Sequence, residues 1–415
     1  MFRDQTARIE TANENPSDLL LSTSLLACSP PCQIVTPPRP SSPNLGYTEL
    51  SLYRPTSFPD IQSTPHRFYL HHFIQQTAAI YFPLEPDAFL RLVIPVAENS
   101  RCMLGALLAA SSSHYSRLNN NNEAHVAAIE ATVHTLSSLG RVLTTSATGC
   151  GTLATSLMLA TTSLCGGDTF TYRKHLDGAL KIVEMADISH QPDSLWPMSM
   201  RWLTQLLLMD RLSNLPQTTE RELGPATWKR LLSSMPHSSQ IDRTTSLSAD
   251  LIRALLEICD VSEGEPKWSR EEPSIDFGLR GVRSQTLLTA EKGPHTQHLE
   301  ILLLKLRDDA FCKMEIDSRP PTEAECSHNL FVNATLLCLY KRVYGLPRTN
   351  PKITATVDIM MSLFQEIDEN SRVNAPLLWP LLAAGCEATT DDKRRFFADR
   401  MASMATHGLG IARLC

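Results

Sequence analysis

From Phe68 onward the apolar residues of this chain recur at helical spacing in one segment after another, and no run alternates with the period of a strand. That pattern removes a sheet-based core and leaves an all-α array as the architecture. In TYRKHLDGALKIVEMA, Leu176, Ala179, Leu180 and Val183 follow the i, i+3, i+4, i+7 spacing of a core-facing stripe. In EAHVAAIEATVHTLSSLGRVL, Val126, Ile129, Val133, Leu136 and Leu139 fall near one face. This helix follows CMLGALLAASSSHYSRL across the break Asn119 to Asn122, so the two segments read as an antiparallel pair.

The same reasoning divides the chain. Nine prolines between Pro30 and Pro65 remove backbone donors and prevent continuous helix, so residues 1–66 read as a disordered Pro- and Ser-rich arm. Residues 67–415 then form one large helical domain built of antiparallel helix pairs. Its first helix, FYLHHFIQQTAAIYF, ends before Pro83, and Pro86 opens the next. Two stretches rich in Pro, Gly, Ser and charge, about 216–246 and 261–294, read as variable surface loops. Helices return at His295 to Lys313, Thr322 to Tyr344 and Thr354 to Asp368.

Charge and cysteine spacing narrow the chemistry. A net charge of −6 over 415 residues argues against a broadly basic, nucleic-acid-binding surface. Of the eleven cysteines, Cys102, Cys150, Cys165, Cys259, Cys338 and Cys386 lie singly in apolar helical stretches, where a free thiol behaves as a small hydrophobe. The N-terminus, MFRDQTARIE, is too polar for a signal peptide, and charges interrupt every apolar run before it reaches membrane-spanning length. The expectation is a soluble, intracellular protein with no membrane segment.

No residue set earns a catalytic, cofactor-binding or metal-ligating role. His71 and His72, and His295 and His298, are close in sequence but lack the acidic or Cys partner of a metal site, and HTQHLE reads as a solvated helix start. The glycines at Gly149, Gly151, Gly166 and Gly167 form no phosphate loop. His175 and Asp177 point in different directions on one helix, so His175 reads as a structural histidine. Asp210 lies near a leucine stripe and is expected to hold an Arg or backbone partner, because an unpaired carboxylate there is costly. LxxLL patterns at Leu104 to Leu108, Leu203 to Leu207 and Leu378 to Leu382 read as core leucines before docking motifs. Lys393, Arg394 and Arg395 read as a solvated face.

One block carries a different kind of information. Asn374 to Met401, NAPLLWPLLAAGCEATTDDKRRFFADRM, joins an apolar segment to a charged helix. Pro376 and Pro380 open or kink the first part, and Thr389 or Thr390 caps the second, with Asp391 and Asp392 facing the positive end of its dipole. Phe397, Met401 and Met404 share a face. The block closely resembles the C-terminal part of the fungal-specific transcription factor domain, the regulatory region of zinc binuclear cluster transcription factors. GDTFTYRKHLDGALKIVEMA, with Gly167, Tyr172, His175, Leu176, Gly178 and Ala179, and RWLTQLLLMDRLSNL, with Asp210, are similar to further segments of that family, so the resemblance covers about residues 68–408.

The resemblance implies a nuclear regulator of transcription and no enzyme. Chains of this kind carry a zinc cluster of six cysteines in two C-x2-C-x6-C halves; here only Cys28 and Cys32 precede the domain, so no zinc site is assigned, and the chain reads as a regulatory core shortened at both ends. The expectation is control of a metabolic gene set, secondary metabolism included, through other transcription regulators or coactivators and without direct DNA contact. A small-molecule effector and a homo- or heterodimer remain open. The alternatives are an enzyme or small-molecule-binding protein on a helical scaffold, or a truncated or decayed paralogue.

Overall fold

The first helix begins where proline is tolerated. Ser63 caps it, its hydroxyl accepting from His66 N–H at 3.3 Å, and Pro65 sits in the first turn, where no donor is needed. The computed structural model describes residues 63–144, 149–186, 195–212, 225–235, 240–263, 293–316 and 322–410. The expected Pro-rich arm therefore lies outside the described residues except for its last few, which belong to this helix. Most of the loop expected at 261–294 also lies outside them. All described residues fall in one compact unit, Tyr53–Cys415.

Every regular element among the described residues is helical, as the periodicity requires. Helix α1 (Thr64–His72) runs through a π-helical turn, Phe73–Thr77, into α2 (Ala78–Tyr81); α3 (Pro86–Asn99) opens on Pro86. Helices α4 (Arg101–Asn119) and α5 (Asn122–Thr144) are joined by a tight connection in which Asn120 takes the left-handed conformation, φ 48°. They pack side by side, as do α6 (Cys150–Gly166) and α7 (Thr169–Met185). The stripe read from α7 is the buried one: Leu176, Ala179, Leu180 and Val183 are all in the core. Ser156 Oγ on α6 donates to His175 O at 2.9 Å and ties the pair together.

Helix α5 departs from its sequence pattern. Val126, Ile129, Val133 and Leu136 are exposed, while Ala124, Ala128, Thr135 and Leu139 face the protein. The cause is the closeness of α4. Gly105 lies against Thr135, and a Cβ added to it would stand 2.4 Å from Thr135 Oγ1. At that separation only small residues fit between the helices, so the large apolar side chains turn away.

The middle of the chain holds a second departure. After α8 (Leu195–Leu212), the stretch read as a loop over 216–246 contains α9 (Pro225–Leu232), which buries Trp228 and Leu231. Asp242 then accepts from Thr245 N–H at 3.0 Å and Thr245 Oγ1 at 2.9 Å, and pairs with Arg201 at 3.2 Å. Ser248 caps α10 (Ala249–Glu263) through Leu251 N–H at 3.3 Å. Polar composition suggested a surface loop, but these polar groups bond one another and sit in the interior.

The last third comprises α11 (Gly293–Ile316), α12 (Glu323–Cys338), a π-helical turn (Leu339–Val343) and α13 (Pro351–Gln365). A 3-10 turn (Arg372–Leu377), α14 (Leu378–Glu387) and α15 (Asp391–Thr406) complete it. Thr322 and Glu325 form a reciprocal capping box at the start of α12. Thr390 caps α15, with Asp391 and Asp392 in its first turn.

Candidate functional site

Asn374 and Arg400, the first residue of the C-terminal block and the one before its last, meet in the interior. The 3-10 turn presents Asn374 and α15 presents Arg400, and both are at most 4% exposed. The Asn374 Nδ2 group donates to the carbonyls of Asp368 (2.9 Å), Glu369 (3.2 Å) and Ser371 (2.8 Å). Its Oδ1 accepts from Arg400 Nε at 3.2 Å and Nη2 at 3.0 Å. Arg400 also donates to Ile367 O and, at 3.3 Å, to Asp368 O. The guanidinium can only donate and the carbonyls can only accept, so one orientation of the Asn374 amide satisfies the network. It holds the end of α13, the 3-10 turn and α15 as one piece.

Beside this clamp the last described residues return to the first helices. His114 on α4, 3% exposed, places Nε2 3.1 Å from His407 O, and Nδ1 3.2 Å from both His72 Nε2 and Thr77 Oγ1. A carbonyl only accepts, so Nε2 carries the proton of the neutral ring and Nδ1 accepts. Arg117 Nε donates to Gly408 O at 2.6 Å. Gly408 has φ 77°, and a Cβ there would lie 2.8 Å from the His114 ring, so the turn needs glycine. Between these groups Ile80, Arg372, Asn374, Met404, His407 and Leu409 border a crevice too narrow to seat a water molecule.

Burial lowers the His114 pKa to about 4, against the pull of the His407 carbonyl, with His72, Arg117 and Arg372 adding repulsion. His72 is lowered by burial as well. For a histidine held neutral, the unfolded chain binds the proton first, near pH 6.5. Stability is therefore constant above that value and falls as pH drops from 6.5 toward 4, by up to about 3 kcal/mol. Thermal melts at pH 7.5 and pH 5 check this: wild type should lose more stability between them than His114→Gln, and equal losses would refute it.

The comparisons agree with this architecture. A family model described as the fungal specific transcription factor domain matches residues 68–413. The chain belongs to that family. No curated protein and no solved structure matches the chain. Membership supports a role in regulating transcription, and the match takes in every helix from α2 to α15 together with most of α1.

Within this family member, the structure places the residues singled out in sequence as follows. Asp210 accepts from Arg173 Nε at 2.8 Å, the Arg partner expected of it. His175 is half-buried beside Asp168, with no convergent acid-base set. His298 and His71 are exposed, and the side chain of His295 lies outside the described residues. Leu104, Leu107 and Leu108, and Leu203, Leu206 and Leu207, are buried, so the first two LxxLL patterns are core; in the third Leu381 is buried, whereas Leu378 and Leu382 are half-buried. Lys393 pairs with Asp358, and Arg394 donates to Ala388 O at 3.1 Å and pairs with Asp391 at 3.1 Å. Cys102, Cys165 and Cys259 are buried, whereas Cys386 is exposed; Cys28 and Cys32 lie outside the described residues.

Among the described residues no group of three or more His, Cys, Asp or Glu side chains is arranged to hold a metal ion. No described helix is long and apolar enough to cross a membrane. Sequence reasoning missed Arg400 and His114. Arg400 sits one residue before Met401 on a helix read for its apolar face, and only its place one turn after Phe396 and Phe397, on the same side of the helix, hinted at burial.

Proposed function

We propose that the chain is a nuclear transcription regulator whose helical domain controls a metabolic gene set, secondary metabolism included, through partner proteins bound to DNA. The observation that carries the reading is the family match over residues 68–413. The metabolic assignment rests on the family resemblance. Partner-mediated action rests on charge: at −6, these 415 residues repel the phosphate backbone on which non-specific DNA affinity depends. The buried groups of the candidate site serve this role structurally, holding the C-terminal helices against the first ones.

The test joins two measurements. A tagged chain should be nuclear, and its deletion should change transcripts of a metabolic gene set. The purified 415-residue chain should show no sequence-dependent DNA binding across low and moderate salt. Tight, sequence-selective binding by the chain alone overturns partner-mediated action, and exclusion from the nucleus overturns transcriptional regulation.

A further inference from the structure

The face of α5 turned away from α4 is an unusual one to leave in water. Val126 (53% exposed), Ile129 (52%), Val133 (59%), Leu136 (42%) and Leu143 (37%) lie along it, bounded by the polar Glu130, His134 and Ser137. Their spacing alternates three and four residues, the a and d positions of a heptad, with Val at a and Ile or Leu at d. Gly140 takes the remaining a position, and a Cβ added there meets nothing within 4 Å. An ordinary amphipathic helix turns such a stripe inward; here the inward face is the alanine and threonine set packed on α4, and the heptad seam is surplus to it.

We infer that this face pairs two copies of the chain, α5 against α5, as an antiparallel two-stranded seam. A second copy is the occupant because the stripe is complementary to itself. Reversed, it sets Val126 against Leu143, Val133 against Leu136 and Ile129 against the gap at Gly140 of the second copy, each a-type residue meeting a d-type one. Charge selects the same direction. Acidic Glu123 and Glu130 lie in the first half of the helix and Arg141 in its last turn. The antiparallel register brings Glu130 within about 3 Å along the axis of Arg141 of the second copy, and opposes the two helix dipoles. The 23 residues of α5 make a seam about 35 Å long, enough to engage all five side chains on each copy.

Sedimentation velocity and light scattering on the full chain test this. Wild type should dimerise reversibly in the micromolar range, and Gly140→Leu, which fills the gap, should tighten the dimer roughly tenfold. Ile129→Glu combined with Val133→Glu should return a monomer whose melting temperature matches that of wild type diluted to its monomeric state, because both side chains are exposed on the single chain. Glu130→Arg should weaken the dimer, and Arg141→Glu added to it should restore it. A monomer at concentrations up to about 100 µM overturns the inference. So does a dimer that ignores the Ile129 and Val133 changes, or one that Gly140→Leu does not strengthen.

Discussion

Replacing Arg400 with Ala is expected to destabilise the domain by about 3 to 5 kcal/mol, measured by urea unfolding. The guanidinium is 4% exposed, and it meets Ile367 O, Asp368 O and Asn374 Oδ1. The Glu369 carboxylate stands 4.0 Å away and is itself 72% exposed on its side chain, so the ion pair contributes little. What the substitution removes is the donor set. Two buried acceptors, Ile367 O and Asn374 Oδ1, then lose this donor, each worth about 1 to 3 kcal/mol when left unpaired, while Asp368 O keeps the Asn374 amide; the cavity left by the side chain adds to the loss. Arg400→Lys keeps the charge but not the planar fork that reaches Nε and Nη2 contacts together, so a loss of about 1 to 2 kcal/mol is expected. Asn374→Ala should approach the Arg400→Ala loss, and the double variant should cost well below the sum of the two, since they share one network. A loss under about 1 kcal/mol for Arg400→Ala would show that water reaches these carbonyls and that the clamp is not a closed one.

The clamp also shows where sequence reading stopped. Helical periodicity was enough to find α7 and its buried stripe, and residue type narrowed the cap of α15 to Thr389 or Thr390, of which Thr390 supplies it, because each is a local property of a few neighbouring residues. The Arg173 partner of Asp210 followed from the cost of an unpaired carboxylate, though not which arginine supplies it. Periodicity failed on α5 because it ranks residues by apolar size, while the α4 contact selected small ones around Gly105. Polar composition failed over 225–248, where Trp228, Asp242 and Thr245 are drawn into the interior by contacts with α8. Arg400 and His114 answer to residues 26 and 293 positions away, Asn374 and His407, and no local pattern encodes such pairings. Asn329 and Asn333 on α12 belong with them: both are fully buried, and nothing in ECSHNLFVNATLLC marks them as interior.

Trp202→Ala is expected to have an effect as large, about 3 to 5 kcal/mol, for an apolar reason. The ring is 2% exposed and meets Phe82 edge-on at 4.8 Å between centroids and Phe89 at 5.9 Å, while Phe82 and Phe89 stack at 4.0 Å. Trp202 is on α8, Phe89 on α3 and Phe82 just after α2, so a single indole joins the middle of the chain to its first helices. Removing it takes away both the burial and the ring geometry, and rings already stacked in register cannot collapse into the gap without leaving it. Trp202→Phe, which keeps an aromatic edge, should cost about half as much or less. The same tryptophan lies in RWLTQLLLMDRLSNL, one of the segments that carries the family resemblance. A regulator-specific role for it would lower transcriptional output at unchanged protein level. A structural role lowers the level itself, so output per molecule of Trp202→Ala should match wild type when both are quantified in the same nuclei. If output per molecule falls while urea unfolding shows stability within about 1 kcal/mol of wild type, Trp202 belongs to a working surface instead of the core.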